Sequence, residues 1–145
     1  MALTELRAGG ALLRPMEALQ VRGAKEDFGA SLEYALFVQR NSPFWIGDLL
    51  LQAEAALGDD FYQQLDSGCS LEMIQRYVGV SRLVPKRNRV EGLSWSHHSY
   101  VAKVPVDKQL ELLLYAKQEG LTSKQFATYV SERKRQWGSD LKETN

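Results

Sequence analysis

A glutamine and an arginine stand next to each other at positions 75 and 76, and Glu72 lies three residues before Gln75. An amide side chain can form two hydrogen bonds with an adenine edge, a guanidinium can form two with guanine, and a carboxylate can accept one from cytosine. On one face of a helix, these residues would make a surface that reads base pairs in the major groove. We predict Glu72, Gln75 and Arg76 as base contacts.

Charge is segregated along the chain, although the formal net charge is zero. The charged residues from Asp48 to Asp66 are all acidic, whereas those from Arg76 to Arg89 are all basic. Zero net charge argues against nucleic acid as a partner, but a segregated field can steer one face towards a polyanion. We predict phosphate contacts from side chains that follow the base-reading positions: Arg82, Lys86, Arg87, Arg89, Ser96, His97 and, further along the chain, Lys124. Alternatively, the basic run is a solvated loop, and the acidic run is either a solvated face or a docking surface for a basic protein partner.

Two histidines stand side by side at positions 97 and 98. Neighbours in a helix point about 100° apart, so they cannot ligate one metal as a pair spaced by four residues would, and we predict no metal site. One interpretation is that His97 caps or packs near a helix start while His98 is exposed. A second interpretation, compatible with the first, is that Ser94, Ser96 and His97 lie at a helix N-terminus beside a DNA phosphate.

The motifs of common enzyme classes are missing from the sequence. It contains no glycine-rich phosphate loop, no Gly-x-Ser-x-Gly, no His-Glu-x-x-His and no paired carboxylates in an apolar stripe. No His, Asp or second Cys is placed to make Cys69 catalytic, and we interpret it as a turn residue. We expect no catalysis and no cofactor. One cysteine, no signal-like start and no long apolar run point to a reducing cytosol.

From residue 25 onward, the first half of the chain shows the spacing of apolar residues that is typical of helices. Apolar residues recur at steps of three and four over residues 25–39, and Asn41-Ser42-Pro43 predicts a break before a second helix over 43–57. A short helix should carry Phe61, Tyr62 and Leu65 before a turn at 66–68. Ser70 is then a good N-cap for a helix to about Arg82, with Ile74 and Val78 on its core side.

Three more helices are predicted after the basic run. The first covers about 96–103, and the second covers 106–119 with Leu110, Leu113 and Leu114 inside and Gly120 as its C-terminal stop. Thr122 and Gln125 form a capping box for the last helix, whose inner side carries Phe126, Tyr129 and Val130. Trp95, flanked by serines, is predicted to pack structurally.

A short helix, a glycine-containing turn and a second helix with one apolar and one polar side are typical of a helix-turn-helix. Over roughly residues 60–130 the chain resembles the DNA-binding segment of ParB-type partition proteins and their relatives KorB and Noc. The matching stretches are Ser70-Leu71-Glu72-Met73-Ile74 with Val78, Val84-Pro85, Leu93-Ser94 with His97, and Gly120-Leu121-Thr122 with Phe126. The runs Trp45-Ile46-Gly47-Asp48 and Ser94-Trp95-Ser96-His97-His98 also resemble small helix-turn-helix proteins of phage, plasmid and actinobacterial origin, some thought to regulate transcription.

The resemblance implies a recognition helix in the major groove, with residues 72, 75 and 76 facing the bases. It also implies a supporting subdomain, formed by the three helices after Leu93, that touches the DNA backbone. The long N-terminal domain and the Arg-rich CTP-binding motif of partition proteins have no counterpart here, so that activity is not transferred. No C-terminal dimerisation domain is recognisable either, which leaves the dimer interface unassigned.

Together these patterns predict an all-α, multi-helix protein. Residues 1–24 form a short extended arm or hairpin. Residues 25–137 form a helical DNA-binding domain with the helix-turn-helix at about 59–82 and the three supporting helices at about 94–137, and 138–145 form a flexible tail. The expected function is sequence-specific binding of double-stranded DNA by a homodimer, as a transcriptional regulator or a phage or plasmid maintenance factor. The alternative is a protein-binding adaptor, such as a phage-encoded modulator of the host transcription machinery, on the same fold.

Overall fold

The structure is a computed structural model that describes residues 6–8, 11–13, 20–21, 25–58 and 70–143, with side chains over 25–58 and 70–138. The chain divides into two compact units, residues 1–40 and 41–145. The short helix and the turn predicted at 59–69 lie outside the described residues. None of the described helices has the length and apolar character needed to cross a membrane.

Three short strands belong to the first unit: β1 (Leu6–Ala8), β2 (Ala11–Leu13) and β3 (Gln20–Val21). They form an antiparallel sheet in which Leu6 lies opposite Leu13, and Ala11 lies opposite Val21. The pairing of β1 with β2 across two residues is a hairpin connection, one of the two forms predicted for residues 1–24.

Helix α1 runs without interruption over Lys25–Leu57 and contains Pro43 in its interior. The predicted break at 41–43 is therefore wrong. A proline inside a helix removes the bond to the carbonyl four residues earlier, and that carbonyl belongs to Gln39, an exposed residue that water can reach. Immediately after the proline, Phe44 and Leu50 are buried in the second unit, and this packing favours a continuous helix.

Helix α2 spans Leu71–Leu83, in agreement with the predicted 70–82. The hydroxyl of Ser70 accepts a hydrogen bond from the Met73 N–H at 3.2 Å, which satisfies one of the donors left open at a helix start. Ile74 and Val78 are buried against Leu50 of α1, as their spacing predicted. A 3-10 turn, Lys86–Asn88, follows Pro85.

Three helices complete the second unit: α3 (Trp95–Val101), α4 (Val106–Glu119) and α5 (Ser123–Glu143). Gly120 ends α4 with a φ of 63°, a conformation that suits glycine. The Thr122 hydroxyl and the Gln125 side chain bond reciprocally to each other's backbone N–H, so the predicted capping box is present. The sequence placed the end of this helix at Trp137, whereas its helical backbone continues to Glu143.

The face that α4 buries differs from the predicted one. Leu113 is fully buried as expected, but Leu110 and Leu114 are 36% and 49% exposed. The buried positions on α4 are Gln109, Leu112, Leu113 and Ala116. The Gln109 amide nitrogen lies within 2.9–3.1 Å of three backbone carbonyls, and its oxygen accepts from the Asn88 amide. These bonds turn the helix so that a polar residue occupies the core and two leucines do not.

The main core of the second unit joins α1, α2 and the three C-terminal helices. Its fully buried members come from four segments of chain: Val84, Val101, Leu113, Ala116 and Phe126. Within the described part of this unit, the regular structure is entirely helical. The predicted all-α class is confirmed for this unit.

Candidate nucleic-acid interface

The residues predicted to read bases lie on the exposed side of α2. Glu72, Gln75 and Arg76 are all exposed, on the side of the helix opposite Ile74 and Val78. This division follows from the helical repeat of about 100° per residue, which separates positions 74 and 78 from positions 72, 75 and 76. Local spacing alone therefore places an amide, a guanidinium and a carboxylate together on one surface.

A groove of about 460 Å³ opens beside this surface. Its α2 wall includes Gln75, Arg76 and Gly79, and the opposite wall includes Lys103, just after α3, and Lys134 of α5. All three of these cationic residues are exposed. The remaining lining residues are apolar or uncharged, and none carries a carboxylate: Val80, Leu83, Ser99, Tyr100 and Ala102. The groove thus combines an uncharged, largely apolar lining with three cationic residues, which suits an anionic ligand.

Arg76 is positioned by Trp95, the first residue of α3. The guanidinium carbon lies 5.2 Å from the centre of the indole ring, within the range of a cation–π contact. Tyr77 packs edge-on against the same ring at 5.4 Å. Because Trp95 itself is buried, it serves as a platform inside the protein, in line with its predicted structural role.

The residues predicted to contact phosphate differ in how freely their charges face solvent. Lys86 and Arg87, in the 3-10 turn, and Lys124, near the start of α5, are exposed. Arg82 is also exposed, but its guanidinium pairs with the Glu54 carboxylate at 2.6 Å. Lys86, Arg87 and Lys124 therefore present their charges to solvent, whereas the charge of Arg82 is partly neutralised.

Arg89 is held inside the protein, contrary to its expected place on a DNA-binding loop. Its side chain is only 15% exposed and forms a bidentate ion pair with Asp48 of α1 at 2.8 and 3.0 Å. The guanidinium also donates to the carbonyls of Val84 and Ser81 and lies 4.5 Å from the Phe44 ring. Arg89 thus connects α1 to the end of α2, and we no longer expect it to contact phosphate. Asp48 is likewise paired within the protein, so it does not belong to an exposed acidic surface.

His97 and Ser94 form a capping box at the start of α3. The Ser94 hydroxyl oxygen accepts from the His97 N–H at 3.2 Å, and His97 Nδ1 accepts from the Ser94 N–H. His97 Nε2 donates to the Leu121 carbonyl at 2.9 Å, which fixes the tautomer. Both ring nitrogens are therefore engaged within the protein, and His97 caps its helix as predicted. Ser96 is half-buried.

His98 is buried, so the expectation that it is exposed is wrong. It is 1% exposed, and its Nδ1 donates to the Ser94 carbonyl at 2.7 Å while Nε2 accepts from the Val90 N–H at 3.0 Å. Removal from water lowers the pKa of His98 to about 4, against the opposing effect of the Ser94 bond. The ring is therefore neutral at pH 7 and joins the start of α3 to the preceding loop.

Sequence reasoning missed the two lysines across the groove. Lys103 and Lys134 stand in unrelated parts of the sequence, and no motif links either of them to α2. They line the same groove as Gln75 and Arg76 because α3 and α5 pack together. Among the described residues, no group of three or more histidine, cysteine, aspartate or glutamate side chains is placed to hold a metal ion.

Comparisons with models of known protein families, with curated proteins and with solved structures find no match to this chain. The resemblance to ParB-type DNA-binding segments therefore stays a prediction.

Proposed function

We propose that the chain is a sequence-specific double-stranded DNA-binding protein that uses α2 as its recognition helix. The observation that carries this proposal is the exposed surface of α2. There Gln75 and Arg76 stand side by side at the edge of a groove whose far wall carries Lys103 and Lys134. Donors that match base edges thus lie next to cations that match phosphates, the two kinds of contact that DNA recognition combines.

The distribution of charge supports DNA in spite of the zero net charge. Two acidic side chains near this region, Asp48 and Glu54, are paired with Arg89 and Arg82. The exposed cations near α2 include Arg76, Lys86 and Arg87 of the 3-10 turn, and Lys103 and Lys134 at the groove. Local positive potential, more than net charge, determines where a polyanion docks.

DNA selected from a random pool, titrated with the protein over a range of salt concentrations, tests the proposal. Affinity should fall steeply as salt rises, because each phosphate contact releases counterions. The double variant Gln75→Ala/Arg76→Ala should lose about 2–6 kcal/mol of preference for the selected sequence, at about 1–3 kcal/mol for each bidentate contact. Weak, sequence-independent binding should persist in this variant.

A matched control is available on α4, where Lys117 and Gln118 are adjacent and exposed. The variant Lys117→Ala/Gln118→Ala should bind the selected DNA as the unaltered protein does. If the α2 variant kept full sequence preference, α2 would not be the recognition helix.

A role as a transcriptional regulator or a phage or plasmid maintenance factor, and function as a homodimer, belong to the same proposal. A single helix-turn-helix reads few base pairs, and two copies on paired half-sites overcome that limit. Selected DNA with inverted repeats, and a two-to-one complex in analytical ultracentrifugation, would support the dimer.

The zero net charge favours a second candidate function, that of a protein-binding adaptor. In that case the same titration would show no salt-dependent DNA retention. A defined protein partner would instead bind the α2 surface and lose affinity in the Gln75→Ala/Arg76→Ala variant.

A further inference from the structure

Gly79 lies in the middle of α2 and has no structural reason to be glycine. Glycine in a helix interior costs about 1 kcal/mol relative to alanine. At Gly47 of α1 the reason is evident, since a Cβ there would collide with Ser81 and with the Tyr77 carbonyl of α2. At Gly79, by contrast, a Cβ would meet nothing within 4 Å. The protein's own packing therefore does not require the missing side chain.

The position of Gly79 supplies a second observation. It lines the groove together with Gln75 and Arg76, one turn further along the same side of α2. Gly138 of α5 also has open space around its Cα, but it does not line this groove. A glycine in the wall of a ligand-sized groove lets a ligand approach the helix backbone more closely than any side chain would allow.

The opposite wall determines the chemistry of that ligand. Lys103 and Lys134 are point charges on flexible stems, which suit phosphate oxygens better than planar base edges. They add two cations to the groove beside Arg76, whose guanidinium is assigned to a base edge, and the residues that line the groove include no acid.

We propose that one phosphodiester strand of double-stranded DNA lies along this groove, in contact with Lys103 and Lys134, while Gly79 marks the closest approach of α2 to the duplex. This inference rests on the proposed function and deepens it. It adds two phosphate contacts from α5 and from the segment after α3, and it explains the glycine as the point where the helix enters the major groove.

The lysines are tested by the salt dependence of binding to random-sequence duplex DNA. Each phosphate contact contributes about 0.9 to the slope of log affinity against log salt, so Lys103→Ala/Lys134→Ala should reduce the slope by about 1.8. The control Lys25→Ala/Lys117→Ala removes the same charge from two exposed residues outside the groove and should leave the slope unchanged. An unaltered slope in the groove variant, with DNA binding intact in the parent protein, overturns the inference but leaves the proposed function standing.

The glycine is tested by separating stability from binding. Gly79→Ala should raise the melting temperature by about 2–6 °C because of the better helix propensity of alanine. The same variant should bind DNA about tenfold more weakly, a loss of about 1.4 kcal/mol, and Gly79→Leu should bind more weakly still. Gly138→Ala should also melt higher but bind as the parent does.

Two results would be decisive against the proposal. If Gly79→Ala binds DNA with the parent's affinity, α2 does not approach the duplex at this residue. If the parent protein shows no salt-dependent affinity for any duplex, the proposed function fails and the groove assignment fails with it.

Discussion

Replacement of Arg89 by alanine should destabilise the protein strongly and leave its interaction with phosphate almost unchanged. The substitution would leave the Asp48 carboxylate, the Val84 and Ser81 carbonyls and one face of Phe44 without their partner. Removal of one member of a buried ion pair costs about 3–5 kcal/mol. Because Arg89 and Asp48 keep 15% and 21% exposure, we expect about 2–4 kcal/mol, since solvent screens a partly exposed pair. That is a large part of the total stability of an ordinary domain.

Urea unfolding followed by far-ultraviolet circular dichroism measures this effect. The variants Asp48→Ala and Asp48→Ala/Arg89→Ala complete a double-mutant cycle with Arg89→Ala. The coupling energy between the two sites should exceed about 1 kcal/mol, because they share two hydrogen bonds. The exposed pair of Arg82 and Glu54 provides the comparison, since such pairs contribute about 0–1 kcal/mol. Arg87→Ala, which alters an exposed guanidinium two residues away, should leave the unfolding midpoint unchanged.

The opposite outcome would contradict this interpretation of Arg89. If Arg89→Ala unfolded within about 0.5 kcal/mol of the parent, the network around Asp48 would contribute little. If it also lowered the salt slope of DNA binding by about 0.9, Arg89 would be a phosphate contact after all.

Two further predictions follow from buried contacts. The pKa of His98 falls from its ordinary 6.5 to about 4 on folding. Below about pH 6.5 the unfolded chain therefore takes up a proton that the folded protein does not. The free energy of unfolding should be constant above about pH 6.5 and should decline towards pH 4 by up to about 3 kcal/mol. Urea midpoints at pH 7.5, 6 and 5 measure this decline, which His98→Gln should reduce, and equal midpoints at pH 7.5 and 5 would exclude it. Gly47→Ala places a Cβ within 2.5 Å of the Tyr77 carbonyl oxygen, so α1 and α2 must move apart at a cost of about 1–3 kcal/mol. A melting temperature at or above the parent's would show that the two helices do not meet so closely.

Several features of the second unit could be predicted from the sequence because their causes are local. Ser70 caps α2, Thr122 and Gln125 cap α5, and Gly120 ends α4, each through contacts within a few residues. The four-residue step from Ile74 to Val78 was likewise enough to identify the buried side of α2. The exposure of Gln75 and Arg76 followed from the same step, so the exposed side of α2 could be predicted before the fold was known.

Other features depended on partners far along the chain. Pro43 is usually a helix breaker, yet the burial of Phe44 and Leu50 that follows it favours the continuous α1. Leu110 and Leu114 looked like core residues, but the hydrogen bonds of Gln109 with segments up to 26 residues away turn α4 so that both are exposed. His98 was expected on the surface beside His97, but its ring is buried and accepts a hydrogen bond from the Val90 N–H.

The sequence by itself determined where most helices of the second unit begin and end, and which side of α2 faces outward, because those properties depend on spacings within one or two helical turns. Only the tertiary structure decided which cationic side chains are exposed near that side of α2. Arg89 is drawn inward by Asp48, 41 residues earlier, and Lys103 and Lys134 are brought to the groove by the packing of α3 with α5. The charge of a side chain is a property of the residue, but its availability to a ligand depends on whether a residue far along the chain pairs with it.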